Sequence, residues 1–199
     1  MIRVLLIAFA YFFVHAVSDI LLRQGHVVPL AEIESGIWLS VFLLNSRRLW
    51  PQLALALFVG GVCAEMLWSD KFFWTVIGHL LGHAFVAFAI VCLINNRCIR
   101  WGDSESSEDS LAQVRFNRSR EVMALIVGAF FVNALGAFIV AATAMFTEGV
   151  QFTKTWSYWF GANGVGILVI APIIVIWIDI KENFHYIKDN RRRLLELLA

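Results

Sequence analysis

Residues Phe72–Ile94, FFWTVIGHLLGHAFVAFAIVCLI, decide the class of this protein. The stretch holds no Asp, Glu, Lys or Arg. Wound as a helix at about 1.5 Å per residue, it is long enough to cross a hydrocarbon core roughly 30 Å thick. Its apolar residues are continuous rather than alternating, which excludes a strand of a membrane barrel. Working outward, three further runs read the same way: Val4–Leu22, Val122–Phe146 and Thr155–Trp177. Pro51–Trp68 is a shorter candidate, interrupted by Gly60, Gly61 and Glu65, and Ala31–Asn45 is the weakest, because Glu32 and Glu34 stand at its start. The expected fold is all-α: one polytopic bundle of six transmembrane helices forming a single integral membrane domain over residues 1–199.

Composition agrees. Of the 199 residues, 60% are hydrophobic and 16% charged, against roughly 45–50% and about 25% in soluble domains. A soluble enzyme, a disordered tail and a nucleic-acid binder are excluded on that ground. The formal net charge of +1 points to no polyanionic partner. Cys63, Cys92 and Cys98 form no CxxC pair, so no disulfide framework is implied.

The basic residues set the orientation. With the N-terminus inside, Arg3, Arg47, Arg48, Arg97, Arg100, Arg115, Arg118, Arg120, Lys181, Lys188 and Arg191 to Arg193 fall on the inner side, whereas only Arg23, Lys71 and Lys154 fall outside. Thirteen against three follows the positive-inside rule. Dropping the weak second span would put Arg47 and Arg48 outside and invert everything after them. The expectation is therefore a multi-pass membrane protein with both termini cytoplasmic. The loop 95–120 and the basic tail 178–199 would face the cytoplasm. The first span has a cleavage-like Val14-His15-Ala16 but is read as a retained helix.

Ionisable groups inside a bilayer are expensive and suggest function. Here they are His15 and Asp19 in the first span, Glu65 in the third, and His79 and His83 in the fourth, with Asn133 and Asn163 adding uncharged polarity. Counting helical rise from the span ends puts His15, His79 and Asn163 roughly 10–12 Å below the outer surface. Asp19, Glu65, Glu32 and Glu34 lie nearer that surface and His83 about a turn deeper. A polar pocket in the outer half of the bilayer, formed by His15, Asp19, Glu65, His79, His83 and Asn163, is the candidate ligand site.

His79 and His83 share one helix face, as do His15 and Asp19. Same-face histidines can bind a divalent metal, with a carboxylate orienting one of them. His15 with His79 or His83 could hold haem iron between facing helices, and histidine also titrates near neutral pH. Polar packing between helices, which needs no cofactor, stands ahead of both metal and haem. Gly78 and Gly82 form a GxxxG that lets helix backbones approach. Pro172 removes a backbone hydrogen bond and would act as a static kink or a hinge. Trp50, Trp68, Trp101, Trp156 and Trp177 fall near span ends, as an interfacial aromatic belt would. No nucleophile elbow, Walker loop, HExxH or GxGxxG is present, so catalytic turnover is not expected.

Two stretches carry a family resemblance. One is Arg47-Arg48-Leu49-Trp50-Pro51, followed by the helix through Gly60 and Gly61. The other runs from Trp159 through Gly166 to Pro172, with spacings of seven and six. Together they resemble the first type of membrane-associated sensor domain (MASE), the input module of bacterial histidine kinases and diguanylate cyclases, in the same order over most of residues 35–199. Three departures stand out. Glu32-Ile33-Glu34-Ser35-Gly36 keeps only the glycine of the family's Trp-x-Pro-x-Gly. Asn163 replaces an acidic residue four beyond Trp159. His79 and His83 stand where the family often has Asn and Glu. Such domains usually have eight helices and an output domain, so a chain stopping after Arg191-Arg192-Arg193 is read as truncated or stand-alone.

The resemblance implies a non-catalytic sensory input domain for signal transduction. An accessory or assembly subunit of a larger membrane complex is the alternative, and a haem- or metal-binding membrane protein the second. Expected partners are membrane lipid and either other membrane protein subunits or a second copy of the chain, with no nucleic acid.

Overall fold

The computed structural model describes residues 2–23, 32–68, 71–95, 116 and 119–178. The loop and tail expected to be cytoplasmic lie almost wholly outside these residues. Within them the chain forms six helical rods: α1 (Ile2–Arg23), α2 (Ile33–Leu43), α3 (Trp50–Trp68, entered through a 3₁₀ turn at Arg47–Leu49), α4 (Phe73–Asn95), α5 (Ser119–Glu148) and α6 (Phe152–Ile178). α5 and α6 each contain one π-helical turn, Gly128–Val132 and Gly166–Ile170.

The helix ends follow local chemistry. Pro51 occupies the first turn of α3, where its missing N–H leaves no bond unmade. Gly149, at φ +68°, takes the left-handed conformation that closes α5, and its N–H bonds the Met145 carbonyl at 3.1 Å. Three residues later α6 begins, so α5 and α6 form an antiparallel hairpin, fixed by Trp156 Nε1 donating to the Ala134 carbonyl at 3.1 Å.

Four helical segments are long and apolar enough to cross a membrane: Arg47–Trp68, Phe73–Ile94, Ser119–Glu148 and Phe152–Ile178. Val4–Ser18 and Ile33–Leu43 are apolar but shorter. The second expected span is thus an 11-residue helix, about 16 Å long and half the thickness of a hydrocarbon core. The burial of α2 explains why so short a helix is stable. Every residue from Glu34 to Leu43 is buried except Ile37. Trp38 is fully enclosed and its Nε1 donates to the Tyr11 hydroxyl of α1 at 2.9 Å. At its other end Trp50 Nε1 donates to the Phe42 and Asn45 carbonyls, both at 3.0 Å, satisfying acceptors the helix leaves open.

Close backbone approach holds the rods together. A Cβ at Gly82 would stand 2.6 Å from Val140 Cγ2, and one at Gly78 would stand 2.5 Å from Thr143 Cγ2. The GxxxG of α4 is therefore its seat on α5. Gly60 and Gly61 likewise bring α3 against Ala8 and Tyr11 of α1. The exterior is apolar, with Phe131 71%, Phe146 82% and Trp177 70% exposed, while His15, Glu65, His83, Asn133 and Asn163 are inside at 1% exposure or less. A bundle that encloses histidines, a glutamate and asparagines while exposing large apolar side chains along its rods belongs in lipid.

Candidate functional site

The buried ionisable groups converge where α1 and α3 end and α4 begins. Glu65, in the last turn of α3, is completely enclosed and lies at the hub. Its Oε1 accepts from Lys71 Nζ at 2.9 Å, hydrogen-bonds His79 Nδ1 at 3.2 Å, and lies 3.4 Å from His15 Nε2. His15 turns its other nitrogen to Glu34, with Nδ1 2.7 Å from Oε2. That imidazole therefore bridges α3 and the first turn of α2. His79 Nε2 faces Glu32 Oε1 at 3.7 Å, and His83 Nε2 faces Glu32 Oε2 at 3.5 Å and Glu34 Oε2 at 3.9 Å.

Helical periodicity explains the convergence. His79 and His83 lie one turn apart on α4, with ring centroids 4.9 Å apart. Glu32 and Glu34 meet them because α2 is short and starts inside the bundle. Its first turn is pinned to α6: the Glu32 N–H donates to the Ala162 carbonyl at 3.0 Å, and Ser35 Oγ donates to the carbonyls of Glu32 at 2.7 Å and Asn163 at 3.2 Å. Gly166 makes this possible, because a Cβ there would run into the Glu32 carbonyl and Ser35 Oγ. The indole of Trp159 closes the far wall, 5.2 Å from His83 and 6.1 Å from His79.

Of the residues expected in the pocket, His15, Glu65, His79 and His83 are brought together. Asp19 follows His15 by one turn on α1, but its side chain is outside the described residues. Asn163 is placed elsewhere. Its Nδ2 donates to Asn133 Oδ1, and Asn133 Nδ2 donates to the Phe160 carbonyl at 2.8 Å. The two amides therefore clamp α5 to α6 between their π-turns, and Asn163 touches the cluster only through its backbone and Ser35. Replacing Asn133 by leucine should leave both the Asn163 amide and the Phe160 carbonyl without this partner. The expected loss is about 0.6–2 kcal/mol, read as a lower midpoint in denaturant titration of the detergent-purified protein.

Pro172 lies inside α6. α6 continues through it, and the irregular turn lies immediately upstream at Gly166–Ile170. Glu32 and Glu34 were the residues that composition most undervalued. They weaken the second segment as a span, yet they complete the site. Two carboxylates opening an apolar helix, with histidines on other helices at similar depth, were the available signal.

Among the described residues the site offers three carboxylates, three imidazoles and one ammonium, with His15, His83 and Glu65 fully enclosed. His15 and His79 both reach toward the same oxygen of Glu65, at 3.4 and 3.2 Å. One ligand atom each from Glu32, His79 and His83 lies within 4.8 Å of the others, close enough to hold a metal ion.

Comparison with known proteins gives one family: the model described as MASE1 matches residues 2–199, essentially the whole chain. No curated protein and no solved structure matches.

Proposed function

We propose a function from a single premise: the chain belongs to the MASE1 family, a family of membrane-associated sensory input domains. The chain acts as a non-catalytic sensor of a bacterial inner membrane, six helices deep, with both termini cytoplasmic. The thirteen-to-three division of basic residues supports that orientation, and it puts the histidine–glutamate cluster in the outer half of the bilayer. The observation that carries the sensory reading is the family match over the whole chain. The buried cluster supplies the place where a stimulus acts.

The path inward runs through α2. A ligand that changes the charge among Glu32, Glu34, His79 and His83 changes what holds the first turn of α2. The same helix packs along α6: Gly36 faces Ile170, and Ser40 Oγ donates to the Ala171 carbonyl at 3.4 Å beside the π-turn. Movement of α2 therefore shifts α6, whose inner end leads toward the tail. Signalling requires only that the ligand bind two packings of α2 on α6 with different affinity.

A cysteine pair reads this directly. In a chain whose native cysteines are replaced, Ser40→Cys with Ala171→Cys places two thiols across the α2–α6 contact. Adding Glu32→Gln, which removes one charge from the cluster, should change the rate of oxidative cross-linking in membranes several-fold. An unchanged rate, with protein level and the Asn133–Asn163 contact intact, sinks the coupling of cluster to α6.

A further inference from the structure

Three carboxylates and three histidines occupy one buried site, and their spacing distinguishes two kinds of contact. Around Glu65 the contacts are of hydrogen-bond length, 2.9 Å to Lys71 and 3.2 Å to His79. Around Glu32 they are not: His79 Nε2 is 3.7 Å away and His83 Nε2 3.5 Å. Those separations exceed a normal N–H···O bond. They lie close to the edge of a coordination tetrahedron, about 3.3 Å for ligand bonds of roughly 2.0–2.1 Å. His83 is enclosed at 1% exposure, and neither ring nitrogen has a hydrogen-bond partner among the described residues. A buried imidazole needs a partner for its nitrogens, and one aimed at a carboxylate is placed to act as a metal ligand.

We propose that Glu32, His79 and His83 form a binding site for a first-row divalent transition cation, of which zinc is the type. The claim rests on the reading of the cluster as a ligand pocket and names the ligand. Two nitrogen donors and a carboxylate suit zinc and its neighbours, whereas calcium and magnesium ask for an all-oxygen shell. Glu65 supplies the orienting carboxylate: its bond to His79 Nδ1 leaves Nε2 turned toward Glu32, the carboxylate–histidine–metal arrangement that fixes a ligand ring. Glu34, 3.9 Å from His83 Nε2, stands where a fourth ligand would come from.

Charge agrees with a divalent ion. Among the described residues, Glu32, Glu34 and Glu65 bring three formal negative charges and Lys71 one positive, and a divalent cation would supply the other two. Two protonated imidazoles among His15, His79 and His83 would balance the site without metal. The side chains of Glu32 and His79 each keep 13% exposure, which leaves the ion a way in.

The test uses the full chain, purified in detergent, stripped with chelator and dialysed. Cobalt(II) should bind at one equivalent per chain and give visible absorption of tetrahedral intensity, displaced by zinc but not by excess calcium or magnesium. In competition against a chromophoric chelator, Glu32→Gln, His79→Gln and His83→Gln should each weaken zinc binding about 100-fold or more. Glu65→Gln should weaken it about 10- to 100-fold. Glu148→Gln, outside the cluster, should leave it unchanged. A wild-type chain that takes up no stoichiometric cobalt overturns the proposal, as do three ligand variants that keep wild-type affinity. If a variant fails to fold, the wild-type cobalt spectrum decides. Absent metal binding with a cross-linking response to Glu32→Gln removes the metal and leaves the sensor. Metal binding with no such response upholds the site and removes the sensory coupling.

Discussion

Glu65→Leu should be the most damaging single substitution in the bundle, costing about 3–5 kcal/mol, the range found when one partner of a buried charge pair is removed. The side chain has no exposed surface and holds Lys71 at 2.9 Å, His79 at 3.2 Å and His15 at 3.4 Å through one oxygen. Leucine fills similar volume, so packing changes little. What is lost is the acceptor for His15 on α1, which is enclosed, for His79 on α4, which is mostly so, and for Lys71 in the α3–α4 turn, which keeps more exposure. Glu65→Gln keeps an oxygen for His79 and should lose less, about 1–3 kcal/mol. Thermal unfolding of the detergent-purified proteins, followed by size-exclusion chromatography, ranks them. Equal midpoints for wild type and Glu65→Leu would mean that Glu65 is not the hub its contacts describe.

Gly166→Ala should have the next largest effect, although it adds one methyl group. That carbon would meet the Glu32 carbonyl and Ser35 Oγ, and a backbone carbonyl cannot swing aside as a side-chain tip can. The first turn of α2 must lift from α6. Overpacking of this kind costs about 1–3 kcal/mol, and the displacement carries Glu32 away from His79 and His83. Gly161→Ala, five residues earlier on the same helix, is the control. Nothing lies within 4 Å of a Cβ there, so it should be neutral or gain up to about 1 kcal/mol in helix propensity. The same unfolding assay, joined to the Ser40–Ala171 cross-link, checks both. Indistinguishable behaviour of the two alanine variants would contradict the close seat of α2 on α6.

The helices were legible because apolar length is a one-dimensional signal. Phe72–Ile94 in the sequence became Phe73–Asn95 in the structure, and Pro51–Trp68 became Trp50–Trp68. α2 was legible as a weak segment but not as a half-length one, because its 11 helical residues are as apolar as a span. Rise along the helix puts His15 and His79 at one depth, Glu65 nearer the outer surface and His83 about a turn deeper, all in one half of the bilayer, and the structure brings them together. Depth says nothing about rotation around the bundle, which is why Asn163, at the level of His79, turns to Asn133 instead. The π-turns had no mark in the pattern. Pro172 suggests an irregularity nearby, but the extra residue is inserted upstream, where α2 crosses α6.

An 11-residue helix that opens with Glu32 and Glu34 has too little apolar length to settle in a bilayer alone, and each carboxylate carried into the hydrocarbon adds a penalty of a few kcal/mol. Its partners come from both directions along the chain: His15 precedes it, whereas His79, His83 and its seat at Gly166 follow it. Biogenesis thereby acquires an order. α2 reaches its final place only after α6 has been synthesised and inserted, so the site closes later than the helix that opens it.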